Sequence, residues 1–183
     1  MPSPETMSRS STKHWYALKV FYNRVANVED WLRQQEVQTY IPMRYEETIV
    51  DGKRKIRTEP AVSSLLFLRE TERFVLDLQT QMKARYPLMA YFNRETKKPG
   101  IIPEQEMNTF MLVTSAGDTA LEYLDTDEPL FRSGDRVRVT GGIFEGAEGY
   151  IKRIKGNRRL IVSIEGVIAV ATAYIPGHLL EKL

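Results

Sequence analysis

Few residues of this chain have the types and spacing that catalysis or metal binding requires. The two histidines, His14 and His178, lie far apart in sequence, and cysteine is absent. A nucleophile with a histidine base, or a cluster of His and Cys metal ligands, therefore has no candidate residues. Glu46 and Glu47 are neighbours on a predicted strand and would point to opposite faces. The sequence thus predicts no catalytic residue, no metal site and no cofactor.

A glycine-rich segment containing Gly141, Gly142, Gly146 and Gly149 superficially resembles a phosphate-binding loop. Such loops continue into Gly-Lys-Ser/Thr and a helix. Here no such tripeptide follows, and predicted strands flank the glycines. The glycines instead indicate tight backbone turns between strands. Because the sequence offers no catalytic or metal-binding residues, we expect a binding function.

Two clusters of basic residues could contact phosphate. The first, Lys53, Arg54 and Lys55, lies at the tip of a predicted hairpin, and the second surrounds Gly156-Asn157. Such side chains contact nucleic-acid phosphates without reading the base sequence. A solvated turn is the alternative explanation for each cluster, and the net charge of +2 does not identify a partner. The second cluster comprises Lys152, Arg153, Lys155, Arg158 and Arg159.

The elements that must position these groups begin with an α+β region. Apolar residues recur at helical spacing in some segments and form short β-branched or aromatic runs in others. Asn23 and Thr71 can cap the first two helices, Asp51-Gly52 predicts a tight hairpin turn, and Pro103 predicts the start of a third helix. The pattern indicates an antiparallel sheet with flanking helices. The predicted strands are 15–21, 37–41, 44–50, 55–59, 63–68 and 88–92, and the second helix is predicted over 71–85.

A different pattern follows after an acidic segment. Residues 114–131 show no periodicity and contain acids but no Lys or Arg, so we interpret them as a linker. Four short strands separated by glycines then predict a small all-β barrel, whose closure would remove exposed edges. These strands are expected at 137–140, 149–154, 159–164 and 167–174. The expected organisation is a tail over 1–12, a first domain over 13–113, the linker, and a barrel domain over 132–183.

The segment from Gly134 to Ile151 resembles a KOW motif. It combines a Gly-Asp turn, an alternating Val/Arg strand and a Gly-X-Phe-X-Gly loop in which Phe144 can fill the mouth of the barrel. Upstream, the chain resembles the amino-terminal domain of the NusG family, and residues 15–68 most resemble the specialised RfaH paralogues. The chain is also similar to capsule-operon antiterminators of the Bacteroides type. The matching residues are Trp15-Tyr16, Pro42-Met43, Ile49–Arg54, Glu59-Pro60 and Leu65–Leu68.

The resemblance implies a cytoplasmic, monomeric transcription elongation or antitermination factor without enzymatic activity. In that family, the amino-terminal domain binds the β′ clamp helices of RNA polymerase through an apolar patch. Carried over by position, the patch comprises Val62, Leu65, Phe67, Tyr91 and Phe92. The sequence departs from the family at Val62-Ser63-Ser64-Leu65, where Phe-Pro-Gly-Tyr or Phe-Pro-Asn-Tyr is common.

The resemblance also implies nucleic-acid and protein partners. The residues expected to contact non-template DNA are Arg24, Lys53, Arg54 and Lys55. The KOW domain would recruit NusE, and through it the ribosome, or the termination factor Rho, with Phe144, Lys152 and Arg153 as its candidate contacts. The expected targets are selected long operons, such as surface polysaccharide clusters. The alternative is a KOW-containing translation factor that binds RNA or the ribosome.

RfaH can refold its barrel as a helical hairpin. In this chain the carboxy-terminal strands are rich in Val and Ile, for example over 161–164 and 167–170. Such residues favour strands, and we therefore predict a barrel that does not switch to helix.

Overall fold

The computed structural model describes residues 12–124 and 134–183, and these form two compact units. The first contains residues up to Ile41 together with Val62–Glu104, and the second contains Pro42–Ala61 together with Gln105–Leu183. In chain order the elements are β1 (His14–Val20), α1 (Val25–Gln34), β2 (Gln38–Tyr40), β3 (Met43–Val50), β4 (Lys53–Pro60), β5 (Leu65–Glu70), α2 (Glu72–Met82), β6 (Leu88–Ala90), α3 (Glu104–Thr114), β7 (Glu122–Leu124), β8 (Asp135–Val139), β9 (Glu148–Ile154), β10 (Asn157–Ile164), β11 (Ile168–Tyr174), a 3₁₀ turn (Gly177–Leu179) and β12 (Leu180–Lys182).

The first unit is built on a four-stranded antiparallel sheet in the order β2-β5-β1-β6. The register places Tyr16 opposite Leu68 and Leu18 opposite Leu66, so one face presents a continuous apolar surface. Helices α1 and α2 contribute Val28, Leu32, Val75 and Leu78 to the same core. The helical spacing of these residues in the sequence therefore correctly predicted the buried side of each helix.

The second unit contains the hairpin β3–β4 and an all-β sheet. The hairpin turns at Asp51 and Gly52, whose φ angles are 53° and 72°. Positive φ at both central residues is the geometry that an Asp-Gly turn supplies, which confirms that prediction. The six-stranded antiparallel sheet has the order β12-β8-β9-β10-β11-β7 and includes all four strands predicted for the carboxy-terminal region. Residues 135–174 contain no helix in the structure.

Two short strands of this sheet were not predicted. Strand β7 lies inside the segment interpreted as a linker and pairs with β11, while β12 pairs with β8. Three-residue strands have too little periodicity to be recognised without the neighbour that pairs with them. The acids Asp125, Asp127 and Glu128 of that segment lie outside the described residues.

The predicted helix caps have different outcomes. The Thr71 side chain accepts a hydrogen bond from the backbone N–H of Phe74, at 3.2 Å, and α2 begins at the next residue, as expected. The prediction for Asn23 is wrong. Tyr22 and Asn23 both adopt left-handed backbone conformations in the turn after β1, with φ of 59° and 56°. Arg24 therefore occupies the N-cap position of α1, and its side chain makes no capping hydrogen bond.

Candidate functional site

The residues predicted to form an apolar polymerase-binding patch differ in accessibility. Leu65 and Phe67 are 1% and 0% exposed. Phe67 lies on β5 between Ala17 of β1 and Tyr40 of β2. Because the Phe67 side chain is fully buried, a partner could touch it only if the structure around it moved. Val62, in the loop before β5, is half-buried, and its carbonyl accepts from the amide of Leu65 at 3.3 Å.

Several exposed apolar residues of the first unit lie at and beyond the edge strand β6. Met89 and Phe92 are each 44% exposed, Ile101 is 51% exposed, and Tyr91 is half-buried. We call Met89, Tyr91, Phe92 and Ile101 the apolar rim. Backbone hydrogen bonds connect the segments of the rim. The amide of Tyr91 donates to the carbonyl of Ala17, and the carbonyl of Tyr91 accepts from the amide of Gly100, both at 2.9 Å. Burial also raises the pKa of the Tyr91 hydroxyl, which keeps it neutral.

Of the four residues of the apolar rim, the sequence had suggested Tyr91 and Phe92 as candidates but not Met89 and Ile101. In β6, Leu88 and Ala90 are buried whereas Met89 between them is exposed. This alternation is typical of an antiparallel strand with one face on the core and the other facing solvent. It could have identified Met89, although a strand of three residues offers little pattern.

The basic hairpin projects its charges into solvent. Lys53, Arg54 and Lys55 are all exposed, and Arg54 forms an ion pair with Glu47 at 3.3 Å. Cross-strand pairing places Lys53 opposite Val50 and Lys55 opposite Thr48, so these two lysines share one face while Arg54 lies on the other. Arg24 is also exposed, but it belongs to the first unit, whereas the hairpin belongs to the second.

The three carboxy-terminal residues predicted to contact a partner also differ in accessibility. Phe144 is only 5% exposed and lies in the loop between β8 and β9. That loop is closed by hydrogen bonds from Gly146 to Val139, at 2.8 Å, and from Ala147 to Phe144, at 3.0 Å. Phe144 therefore packs inside the sheet region. Lys152 is half-buried and Arg153 is exposed.

Arg159 belongs by sequence to the second basic cluster, but the structure gives it a structural role. Its guanidinium donates to the Glu122 carboxylate at 2.7 Å and to the backbone carbonyls of Thr172, Ala120 and Ala171. The hydrogen bond from Arg159 is the largest cause that lowers the pKa of Glu122. Arg159 therefore attaches the segment containing β7 to the sheet.

A second charged network lies on β8 and β9. The Glu148 carboxylate accepts from Arg138 at 2.6 Å and from Arg136 at 2.9 Å, and only 13% of its side chain is exposed. The hydrogen bond from Arg138 is the main cause that lowers the pKa of Glu148 below its ordinary 4.5. Because the carboxylate is favoured in the folded state, this network stabilises the sheet at neutral pH.

This lowered pKa predicts a pH-dependent contribution to stability. The stabilisation is complete above the unfolded-state pKa of Glu148 and is lost as the pH falls through the lower, folded-state value. Glu148→Gln should therefore lower the free energy of unfolding at neutral pH and reduce its decline on acidification. Urea denaturation at a series of pH values from neutral to acidic measures both effects. Exposed Glu145 is the control, since Glu145→Gln should leave the pH dependence unchanged, and an equal response from both variants would contradict the role of Glu148.

The described residues contain no group of side chains that indicates a metal site. In residues 12–124 and 134–183, no three His, Asp or Glu side chains come together in a way that could hold a metal ion. Within the same ranges, no helix is long and apolar enough to cross a membrane.

Comparison with known proteins defines the class. Residues 13–111 match the family model described as transcription termination factor NusG. Because the match covers more than half of the chain, this protein belongs to the NusG family of transcription factors. Among solved structures, the one described as "Domain interaction in Thermotoga maritima NusG" is similar over 94% of this chain and 98% of that chain, with 17% sequence identity and a TM-score of 0.48. No curated protein matches.

Proposed function

We propose that the protein is a transcription elongation and antitermination factor of the specialised, RfaH-like kind. It binds RNA polymerase at the β′ clamp helices and promotes processive transcription of selected long operons, such as surface polysaccharide clusters. One observation carries the proposal: the region that matches the NusG family contains a cluster of exposed apolar side chains, the apolar rim.

The rim is suited to an apolar contact on another protein. Exposed apolar clusters on a soluble unit commonly mark protein interaction sites. Burying such surface against an apolar helix face contributes roughly 25 cal/mol per Å², before the costs of association. The rim is thus the direct contact in this proposal, while Leu65 and Phe67 hold the sheet beside it. A factor that prefers the closed clamp would shift polymerase toward the elongating state.

The remaining surfaces receive separate roles. Lys53, Arg54 and Lys55 contact non-template DNA through its phosphates, with Arg24 as a further contact. Arg153 and Lys152 contribute to recruiting a second partner, NusE or Rho, while the buried Phe144 supports the loop that presents that surface. The domain division at residues 113 and 132 is part of this proposal.

Phe92→Asp should weaken binding to the cognate RNA polymerase by about tenfold or more. A charge would replace the exposed ring at the centre of an apolar contact, and loss of a hot-spot residue costs about 2 kcal/mol or more. Affinity for an elongation complex and the rate of elongation in vitro are the measurements. Leu76→Asp is the matched control, because Leu76 is an apolar residue of α2 with 41% exposure that lies outside the rim.

Undiminished polymerase affinity of a folded Phe92→Asp variant would remove the rim from the proposal. Purification of the wild-type protein from cells tests the broader assignment. Polymerase subunits recovered without ribosomal RNA support a transcription factor. Ribosomal RNA recovered without polymerase would favour the translation-factor alternative.

A further inference from the structure

A short loop of exposed charges joins the two segments of the apolar rim. It spans residues 93–98, and the backbones of Phe92 and Pro99 pair as an antiparallel bridge at its base. Ile101 follows two residues after that bridge. We call this segment the cationic loop, because it carries the exposed cations Arg94, Lys97 and Lys98 and the exposed acid Glu95. Each cation is within two residues of the bridge, at most about 7 Å along the chain.

The fold supplies these cations with no counter-charge. Within residues 12–124 and 134–183, none of the three side chains forms an ion pair. Three cations and one acid give the loop a net charge of +2 at neutral pH. Charges of one sign that are not paired within the fold create a local potential that attracts the opposite charge on another molecule.

Hydrogen bonds hold the cationic loop in one conformation. The Asn93 side chain accepts from the amides of Glu95 and Thr96, at 2.9 and 3.0 Å. The amide of Asn93 donates to the carbonyl of Lys98 at 2.8 Å, and the carbonyl of Asn93 accepts from the amide of Lys97 at 2.9 Å. Because the backbone of the loop is already ordered, a partner does not have to order it, which lowers the entropic cost of binding.

A fourth exposed cation stands beside the other segment of the rim. Lys19 of β1 lies directly opposite Met89 of β6, and directly opposed residues of an antiparallel pair share one face of the sheet. Lys19 likewise forms no ion pair within the part of the chain that the structure describes. The exposed apolar side chains therefore have cations near Met89 and near Phe92. An apolar centre with charges at its periphery is the usual composition of a protein interface.

We propose that the apolar rim and its cations bind a helical surface whose apolar side chains are bordered by Asp or Glu. This inference rests on the proposed function, in which the partner is RNA polymerase, and adds the charge of the surface that is recognised. The rim contributes burial of apolar area, while the cations attract the acids before contact and accelerate association. A nucleic acid would neutralise the cations but would offer no apolar surface to the aliphatic side chains of Met89 and Ile101.

Association kinetics of the full-length protein test the inference with two targets, the cognate core RNA polymerase free of DNA and RNA, and an elongation complex. Lys97→Glu/Lys98→Glu should slow association with both by about tenfold at low salt, the lower end of the range for electrostatic steering. It should change the dissociation rate by about twofold or less, because peripheral charges act chiefly on association. The rates of variant and wild type should converge near 1 M salt, where the Debye length is about 3 Å.

A matched control and a neutral variant separate this surface from general charge. Arg33→Glu/Lys83→Glu makes the same change in net charge at exposed residues in the last turn of α1 and at the end of α2, outside the rim. It should leave the association rate within about twofold of wild type. Lys97 has a φ of 57°, which asparagine adopts more readily than lysine. Lys97→Asn should therefore raise thermal stability and yet slow association by about threefold.

Failure of the inference and failure of the proposed function give different results. A wild-type protein that bound neither target would overturn the proposed function and this inference together. Wild-type binding with an unchanged association rate in folded Lys97→Glu/Lys98→Glu, or with equal slowing by the control pair, would overturn the inference alone. Slowing seen with the elongation complex but not with core polymerase would mean that the cations meet nucleic acid, which also contradicts it. Slowing with both targets supports it.

Discussion

Replacement of Phe67 by alanine is expected to destabilise the first unit by about 3–5 kcal/mol, the range for loss of a buried phenylalanine. The side chain is fully enclosed, and β5 is an inner strand of the four-stranded sheet. The truncation would leave a cavity on one face of the sheet, whose backbone is held in place by the pairing of β5 with β1 and β2. Urea denaturation measures the loss, which is a large fraction of the stability of a typical domain.

This prediction separates a packing residue from a contact residue. Phe92→Ala is the matched truncation at an exposed position of the same unit and should change stability by about 0.5 kcal/mol or less. We expect polymerase affinity of the Phe67 variant to fall in step with its folded fraction. A stably folded Phe67→Ala protein that had lost polymerase affinity would show that Phe67 touches the polymerase directly, contrary to its position here.

Gly149→Ala should destabilise the carboxy-terminal sheet by about 3 kcal/mol or more, at or beyond the usual range for overpacking. Gly149 lies on β9, and its nearest neighbour across the strand pair is the backbone of Ile161 on β10. A Cβ atom at this position would fall well inside the van der Waals distance of the Ile161 carbonyl oxygen and 3.0 Å from the Leu160 side chain. Because the first obstacle is backbone, a rotamer change cannot relieve the overlap.

Gly166→Ala provides the control in the same sheet. Gly166 has φ of +73°, and a Cβ atom there would meet nothing within 4 Å. Its replacement should therefore cost only the conformational penalty, about 1 kcal/mol. Thermal and urea denaturation of both variants would reveal the difference. Equal losses would mean that Gly149 is required for backbone conformation and not for the close approach of two strands.

The local elements were largely predictable because their causes are local. The Thr71 cap, the Asp51-Gly52 turn and the spacing of Val25, Val28 and Leu32 each depend on interactions within a few residues. The same local reasoning failed at Asn23, where the path of the chain from β1 into α1 requires two left-handed residues. The exposure of Lys53, Arg54 and Lys55 on the β3–β4 hairpin was likewise predictable, since a hairpin tip is exposed by its geometry.

The candidate protein-binding surface was less predictable, because accessibility depends on which strands become neighbours. Leu65, Leu66, Phe67 and Leu68 form one apolar run that is equally compatible with a buried strand and with a strand that exposes alternate residues. In the structure β5 is an inner strand, and all four side chains are buried, alternating between the two faces of the sheet. Several exposed apolar residues of the first unit instead lie around the edge strand β6, a position defined only by the sheet.

The sequence by itself determined the helices and principal strands, the hairpin turn and the family, because backbone propensities and motif spacing act over short separations. Only the tertiary structure decided which apolar and charged side chains remain available to a partner. Arg159 illustrates the difference. In the sequence it is one of several clustered bases, but in the fold it is bound to Glu122, which is distant in the chain. Long-range pairing of this kind depends on the register between strands, which no local pattern encodes.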